Sequence, residues 1–415
     1  MFIVRILQMV LNHLNVKWGW YMAILSQEQL VALKQKVRKV TETDLEEIQL
    51  TVERTNVFPD EYYDVCRKSD LFRLAIPEEF GGLGLGLGLG LNCEQFFSVM
   101  EEFCRGPGGM RMNLHHANGL NWRIMYDHGA ADLRAKWLPL LANKDAYINF
   151  ALTEADCGSG ADIRTTAVKK GDKYILNGSK TLISHTDISD GSYVIAVTDE
   201  NKRKKGGLTA FFIETNTPGY YIDPMPHMMR CRGAGHAYLR FENCEVPAHN
   251  IMGKEGDGLD IFMDALAHSR AMIAVTCLGM SQRFLELAIT RAKDRVTFGK
   301  PLVARQAIQQ TLADMGTQVH ALRVMLRDCA QKFDRGEDIE MVSAMCKLHG
   351  IDTVRTVSDG CLEIFGGIGY FEDNPYGPVE RMYRDARALW FEEGPRTVQR
   401  LTIARPLIAA AGEIR

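Results

Sequence analysis

Tyr174-Ile175-Leu176-Asn177-Gly178 and Tyr193-Val194-Ile195-Ala196-Val197 are the stretches on which the fold turns. Both are β-branched and aromatic runs bounded by Gly, Asn or Asp, a composition that suits strands. Leu208 to Thr215 and Ala237 to Phe241 repeat the pattern, and no helical periodicity separates the four runs. On either side the period changes. From Ser26 to about Tyr147 apolar residues recur at three- and four-residue spacing, as in Leu30, Leu33, Val37 and Val40. After Gly256-Asp257-Gly258 four long amphipathic segments are expected; Ile308, Leu312, Met315, Val319, Leu322, Leu326 and Cys329 form the cleanest stripe, and Met341, Met345, Leu348, Ile351 and Val354 another. Short turns such as Asp334-Arg335-Gly336 imply an antiparallel bundle. The expected class is α+β: an N-terminal helical domain over 26–149, a middle antiparallel β-barrel or sandwich over 150–257, and a C-terminal four-helix bundle over 258–415. The absence of βαβ units excludes a Rossmann domain, so Gly366-Gly367-Ile368-Gly369 is no dinucleotide fingerprint.

Composition narrows the function classes. The 415 residues are 46% apolar, enough for a large core, and 49 basic against 52 acidic residues leave a net charge of −3. No global field attracts nucleic acid or an anionic membrane. The one dense basic run, Lys202 to Lys205 before Gly206-Gly207, reads as a solvated hairpin turn. Ten cysteines without a C-x-x-C pair or a histidine cluster predict buried, reduced thiols, no disulfide and no metal. Residues 1–25 stand apart as an apolar, aromatic extension; Arg5, Asn12, His13, Asn15 and Lys17 keep any run short of the roughly 20 apolar residues of a membrane span. They lack a secretory cleavage site and suit a loose amphipathic helix, a weak organelle-targeting segment or, the favoured reading, sequence upstream of a start at Met22.

Three stretches carry candidate chemistry. Phe391-Glu392-Glu393-Gly394-Pro395 is a poor helix interior and predicts a bend from which a carboxylate projects. Thr153-Glu154-Ala155-Asp156-Cys157-Gly158-Ser159 lies where helix gives way to strand, and its small and hydroxyl residues let a flat or anionic ligand approach backbone amides. Arg295-Val296-Thr297-Phe298-Gly299-Lys300 with Gln306 suits a pyrophosphate or adenosine, or is a plain inter-helix turn. The alternating Leu-Gly run from Leu83 to Leu91 is read as a flexible loop.

Taken in register, Ile76-Pro77-Glu78-Glu79-Phe80-Gly81-Gly82, Ala151-Leu152-Thr153-Glu154, Phe241-Glu242-Asn243-Cys244-Glu245-Val246-Pro247, Arg295-x-x-Phe298-Gly299, Ile364-Phe365-Gly366-Gly367 and Glu393-Gly394 resemble the acyl-CoA dehydrogenase family from about Gln27 to the C-terminus. The resemblance implies an FAD enzyme in which Glu393 abstracts the α-proton of an acyl-CoA while the β-hydrogen leaves as hydride to the flavin. The thioester oxygen would be met by the Glu393 amide and a flavin hydroxyl. Some relatives carry the base just before an arginine matching Arg270; here Ser269 stands there and cannot serve. By the same implication Phe150, Leu152, Thr153, Leu182 and Ser184 face the flavin, and Pro395 and Thr397 border it. Arg295, Phe298, Gln306 and Glu363 to Gly367 (with Gly366 among them) meet the FAD of a second subunit, and Ser159, Arg270 and Gly394 touch acyl-CoA. Three departures stand out: Gly160 replaces a usual Asp, Leu182 a usual Trp, and Glu363 a usual Gln, whose carboxylate would repel a pyrophosphate. The resemblance also implies an electron-transfer flavoprotein as partner, a homotetramer built as a dimer of dimers, and a cytoplasmic location in a bacterium or the mitochondrial matrix in a eukaryote.

For the acyl group, a pocket helix expected at Met110 to Trp122 carries Arg111, Asn113, His115, His116 and Asn118. That polarity points to a short or substituted chain. Arg111 matches the arginine with which glutaryl-CoA dehydrogenases hold a distal carboxylate, with His115 one turn later, implying a dicarboxylic or otherwise anionic acyl-CoA. The competing reading is a salt bridge at the helix start with the histidines satisfied behind the pocket. An oxidase or monooxygenase of the same fold, and a non-catalytic relative that binds a partner or nucleic acid, are the alternatives; Glu393 and the lack of a basic surface count against the last.

Overall fold

Ser26 opens the first helix with a reciprocal cap: its hydroxyl accepts from the Gln29 amide at 3.2 Å while the Gln29 side chain accepts from the Ser26 amide at 2.9 Å. The computed structural model describes residues 25–84, 92–157, 162–372 and 374–413. The 1–25 extension up to Ile24, most of the Leu-Gly run, and Ser159 and Gly160 lie outside the described residues.

Among the described residues seven helices come first: α1 (Gln27–Glu42), α2 (Asp44–Thr55), α3 (Asp60–Lys68), α4 (Cys93–Phe103), α5 (Gly108–Asn118), α6 (Leu120–His128) and α7 (Ala131–Asn143). The single pocket helix expected over Met110 to Trp122 is in fact two. Gly119, at φ −122° and ψ −100°, leaves helical geometry and splits α5 from α6, which turns the polar face of α5 into the interior.

The middle sheet contains β1 (Ile148–Ala151), β2 (Thr166–Lys170), β3 (Lys173–Ser184), β4 (Gly191–Val197), β5 (Leu208–Glu214), β6 (Tyr220–Pro224), β7 (His236–Pro247) and β8 (Ile251–Met252). Their order is β6-β7-β3-β2-β4-β5-β8, with β1 beside β4. The expected antiparallel pattern holds for most pairs, but β1 pairs β4 in parallel, Ile148 opposite Gly191 through Ala151 opposite Val194. β2 also pairs β4 in parallel, Thr166 opposite Val197; the chain reverses once from β2 into β3 and again from β3 into β4, so β4 runs in the direction of β1 and β2. A register shift between Lys180 and Ile183 interrupts the β3–β7 ladder, and Leu182 at its centre has φ 57°. Such a bulge turns a side chain out of the pleat; Leu182 is 58% exposed.

The C-terminal part holds α8 (Gly258–Asp294), a small hairpin of β9 (Val296–Thr297) and β10 (Lys300–Pro301), α9 (Gln306–Asp334), α10 (Glu340–Phe365), the short α11 (Val379–Ala386) and α12 (Arg396–Glu413). Of the four long segments expected, three exceed 25 residues and α12, with 18, is the fourth. By length and composition α8 could cross a bilayer, but 89% of its most apolar window is buried, the setting of a core helix. It is buried because α4 and α10 approach it closely. A Cβ at Gly279 would overlap the Glu101 carbonyl and stand 2.9 Å from Cys104 Cβ, and one at Gly350 would stand 3.1 Å from Cys277 Cβ.

Candidate active site

Glu393 lies in the turn between a 3₁₀ segment (Arg387–Trp390) and α12, in a left-handed conformation at φ 54°. Side chains other than Gly rarely adopt it, and it persists only where the surroundings over-determine it. Here they do. Lys347, on α10 and 0% exposed, donates from Nζ to the carbonyls of Glu392 and Gly394. The Gln399 amide, on the first turn of α12, donates at 3.1 Å to the carbonyls of Glu393 and Gly394. Three successive carbonyls are thereby held from two helices.

The neighbouring carboxylates have opposite environments. Burial pushes both up, but Glu392 takes a two-pronged bond from Arg111 (Nη1 to Oε2 3.0 Å, Nη2 to Oε1 2.9 Å), which brings it below its ordinary value. Glu393 meets no guanidinium at bonding distance among the described residues. Burial prevails there and keeps its carboxyl above the ordinary value, against the pull of Lys347, a hydrogen bond to Ser269 and the charge of Arg270. Burial also lowers Lys347 to about 8, against the attraction of Glu393 and Glu392.

Behind the base, His115 Nε2 stands 3.2 Å from Ser269 Oγ, and its Nδ1 has no partner among the described residues. His116 Nδ1 meets the Tyr147 hydroxyl at 2.8 Å. Burial depresses both imidazoles, His116 to about 4, so they are neutral near pH 7. Arg270 is buried, and among the described residues its Nε and Nη1 lack hydrogen bonds while Nη1 stands 3.9 Å from the Glu340 carboxylate.

The structure thus brings together Glu393, Gly394, Arg270, Arg111 and His115 around one turn. The Arg111 side chain, 2% exposed, has both Nη groups bonded to Glu392, as in the salt-bridge reading, while its Nε has no hydrogen-bond partner among the described residues. Reading the sequence missed Lys347 and Gln399. The signal was a lysine inside the small and apolar run Ala344-Met345-Cys346-Lys347-Leu348, but its partners are backbone atoms, which no residue pattern encodes.

The other expected residues lie in two outer groups. Phe150 packs on Phe262 of α8 with ring centroids 4.2 Å apart, Leu152 is half-buried, Thr153 is exposed, and Ser184 Oγ meets His236 Nε2 at 3.1 Å. With the outward Leu182 they give an apolar face edged by hydroxyls. Pro395 and Thr397 are exposed beside Glu393. The second group is at the α8–α9 corner: Arg295 and Gln306 are exposed, and Phe298, at φ 47°, is 97% exposed. At the end of α10, Gly366 and Gly367 face open space, with nothing within 4 Å of an added Cβ. An arginine without a salt bridge among the described residues, an exposed phenyl ring with the Arg305 guanidinium 5.8 Å from its centroid, and open glycines fit an anionic, aromatic cofactor such as the FAD implied by the resemblance. Glu363 does not fit a phosphate contact. It shares an exposed cleft of about 400 Å³ with Asp314, Asp359 and Arg355, where carboxylates outnumber the cation. No group of three or more metal-binding side chains occurs among the described residues.

Comparison with known proteins identifies the family. The family descriptions acyl-CoA dehydrogenase N-terminal domain, middle domain and C-terminal domain match residues 27–145, 149–244 and 256–408. An acyl-CoA dehydrogenase of Bacillus subtilis (strain 168) is 34% identical over 386 residues, covering 92% of this chain and 98% of that one. Butyryl-CoA dehydrogenase from Megasphaera elsdenii superposes with a TM-score of 0.84 at 29% identity, covering 93% of this chain and 100% of the other. A chain from a structure described as the electron transferring flavoprotein of Acidaminococcus fermentans, towards a mechanism of flavin-based electron bifurcation, gives 0.84 at 30% identity, with 93% and 99% covered. Matched in all three successive parts, the chain belongs to the acyl-CoA dehydrogenase family of FAD-dependent oxidoreductases.

Proposed function

We propose that this chain removes hydrogen from Cα and Cβ of a short, uncharged acyl-CoA, with Glu393 as the base. The observation that carries the reading is the contrast between two adjacent carboxylates. Arg111 keeps Glu392 charged and occupied, while Glu393 is left with a raised affinity for a proton. Environments that push neighbouring carboxyls apart assign their roles. The Glu393 carboxylate takes the α-proton, and the electron pair of the broken C–H bond moves toward the thioester carbonyl. The Glu393 amide is the chain's own donor for the oxygen on which charge grows. FAD, when bound, supplies the acceptor for the β-hydrogen and its electron pair. Phe150, Leu152, Thr153, Leu182 and Ser184 would hold its flat ring; Arg295, Phe298, Gln306, Gly366 and Gly367 would meet the nucleotide end of the FAD bound by a second subunit. His115 and His116 are neutral and both Nη groups of Arg111 are bonded to Glu392, so a distal carboxylate held by those groups would have to displace Glu392. Similarity to the chain from the Acidaminococcus structure supports an electron-transfer flavoprotein as the onward acceptor. An FAD site shared between subunits, as the resemblance implies, is the ground for reading a dimer of dimers.

The test is turnover of an acyl-CoA panel with a dye acceptor, products resolved by mass. Butyryl-CoA is expected to exceed glutaryl-CoA, and Glu393→Gln to slow bleaching of the yellow enzyme by about 10² to 10⁴-fold. Bleaching at the wild-type rate in Glu393→Gln would remove the proposed base. Glutaryl-CoA as the better substrate would remove the uncharged acyl group.

A further inference from the structure

We infer that Lys347 is a positioning residue for the base: with Gln399 it ties down the carbonyls on both sides of Glu393 and holds that carboxylate in its left-handed turn. The inference rests on Glu393 being the base. A lysine ammonium buried at 0% exposure normally sits on a carboxylate. Lys347 forms no ion pair within 4 Å among the described residues; its donors go to main-chain oxygens of Glu392 and Gly394. Its backbone cannot retreat, because Gly350, one turn on, is packed against Ala274 and Cys277 of α8. The cation is therefore placed at a fixed depth against the main chain of the turn, whose flanking Phe391 and Pro395 are exposed.

This arrangement does two things that a buried neutral donor could not do together. The charge-assisted bonds stabilise a backbone conformation that glutamate otherwise resists. The same charge favours the ionised form of Glu393 from behind, without a direct ion pair that would block the proton-accepting oxygens. Charged and titratable groups facing this point come from four elements: Glu392 and Glu393 on the turn, Arg270 and Cys277 on α8, Arg111 and His116 on α5, and Lys347 itself on α10. Arg111 is neutralised by Glu392, which leaves Lys347 as the largest favourable charge on Glu393.

The sign of the pH effect follows. Glu393 must be ionised to accept a proton, so the rate falls as pH drops through its pKa. Removing the Lys347 charge raises that pKa and moves the acid limb to higher pH. The experiment uses holoenzyme variants Lys347→Gln, Lys347→Arg and Gln399→Met with Glu393→Gln as reference. Three quantities are measured: anaerobic bleaching by butyryl-CoA from pH 5.5 to 9, the Kd of a non-oxidisable thioether analogue of butyryl-CoA, and the flavin absorbance. Lys347→Gln is expected to keep its flavin and bind the analogue within about threefold, while its acid limb moves up by about one pH unit, roughly tenfold in rate on that side. Lys347→Arg returns the limb toward wild type. Gln399→Met lowers the rate but leaves the limb in place. An unmoved limb in Lys347→Gln overturns the inference, whether its flavin and analogue binding are kept or lost. Should Lys347→Gln not fold, a wild-type rate in Gln399→Met overturns it. Full activity in Glu393→Gln would show instead that the base was misassigned.

Discussion

Glu392 and Glu393 are adjacent in the chain and identical in chemistry, yet one is chelated by a buried arginine and the other is not. Removing one member of a buried ion pair strands the other. Glu392→Gln and Arg111→Met should therefore each lower stability by about 3 kcal/mol, read from denaturant midpoints. The double variant should lose clearly less than the two losses added, because neither charge is then left alone. Losses that simply add would mean the two side chains do not interact. At this scale the candidate base could be read from Glu393-Gly394-Pro395, since the breaker pair announces a turn. The partner of Arg111 could not, because 281 positions separate it from Glu392 and the contact exists only when α5 lies against the C-terminal turn.

The helices owe their close packing to glycines that a period of apolar residues does not reveal. Gly279 on α8 admits the Glu101 carbonyl of α4, and Gly109 on α5 admits the Arg232 carbonyl from the loop before β7. Gly279→Ala should overpack the α4–α8 crossing and cost roughly 1 to 3 kcal/mol, seen as a lower Tm of the holoenzyme. An unchanged Tm would show that the helices can part freely. The long stripe on α9 was legible because its buried side is narrow and its outer side polar. α8 is buried nearly all round and leaves no stripe to read.

Across the whole molecule the helices of the two ends are joined by Glu46. On α2, it accepts from Arg381 of α11 at 2.7 Å and from Arg283 of α8 at 2.5 Å. Burial pushes its carboxyl up, but the two guanidinium groups prevail and bring it down to about 2. A depressed carboxyl pKa contributes stability that is present above about 4.5 and lost as pH falls toward 2. At roughly 1.4 kcal/mol per pH unit, the contribution near neutrality is about 3 kcal/mol. Glu46→Gln should be less stable than wild type at pH 7, and the two should converge as pH approaches 2 in urea titrations. A constant gap from pH 7 to 2 would rule the carboxylate out as its source.

The order helix, strand, helix and the position of the acidic turn were settled by the chain alone, because periodicity and breaker residues act over a few neighbours and survive without long-range contacts. The parallel seat of β1 beside β4, the break at Gly119, the capture of Arg111 by Glu392 and the grip of Lys347 on the carbonyls around Glu393 were decided only by tertiary structure. Each depends on which distant atoms meet in a dry interior, where an unpaired charge or carbonyl is costly and the available partner determines what a residue does.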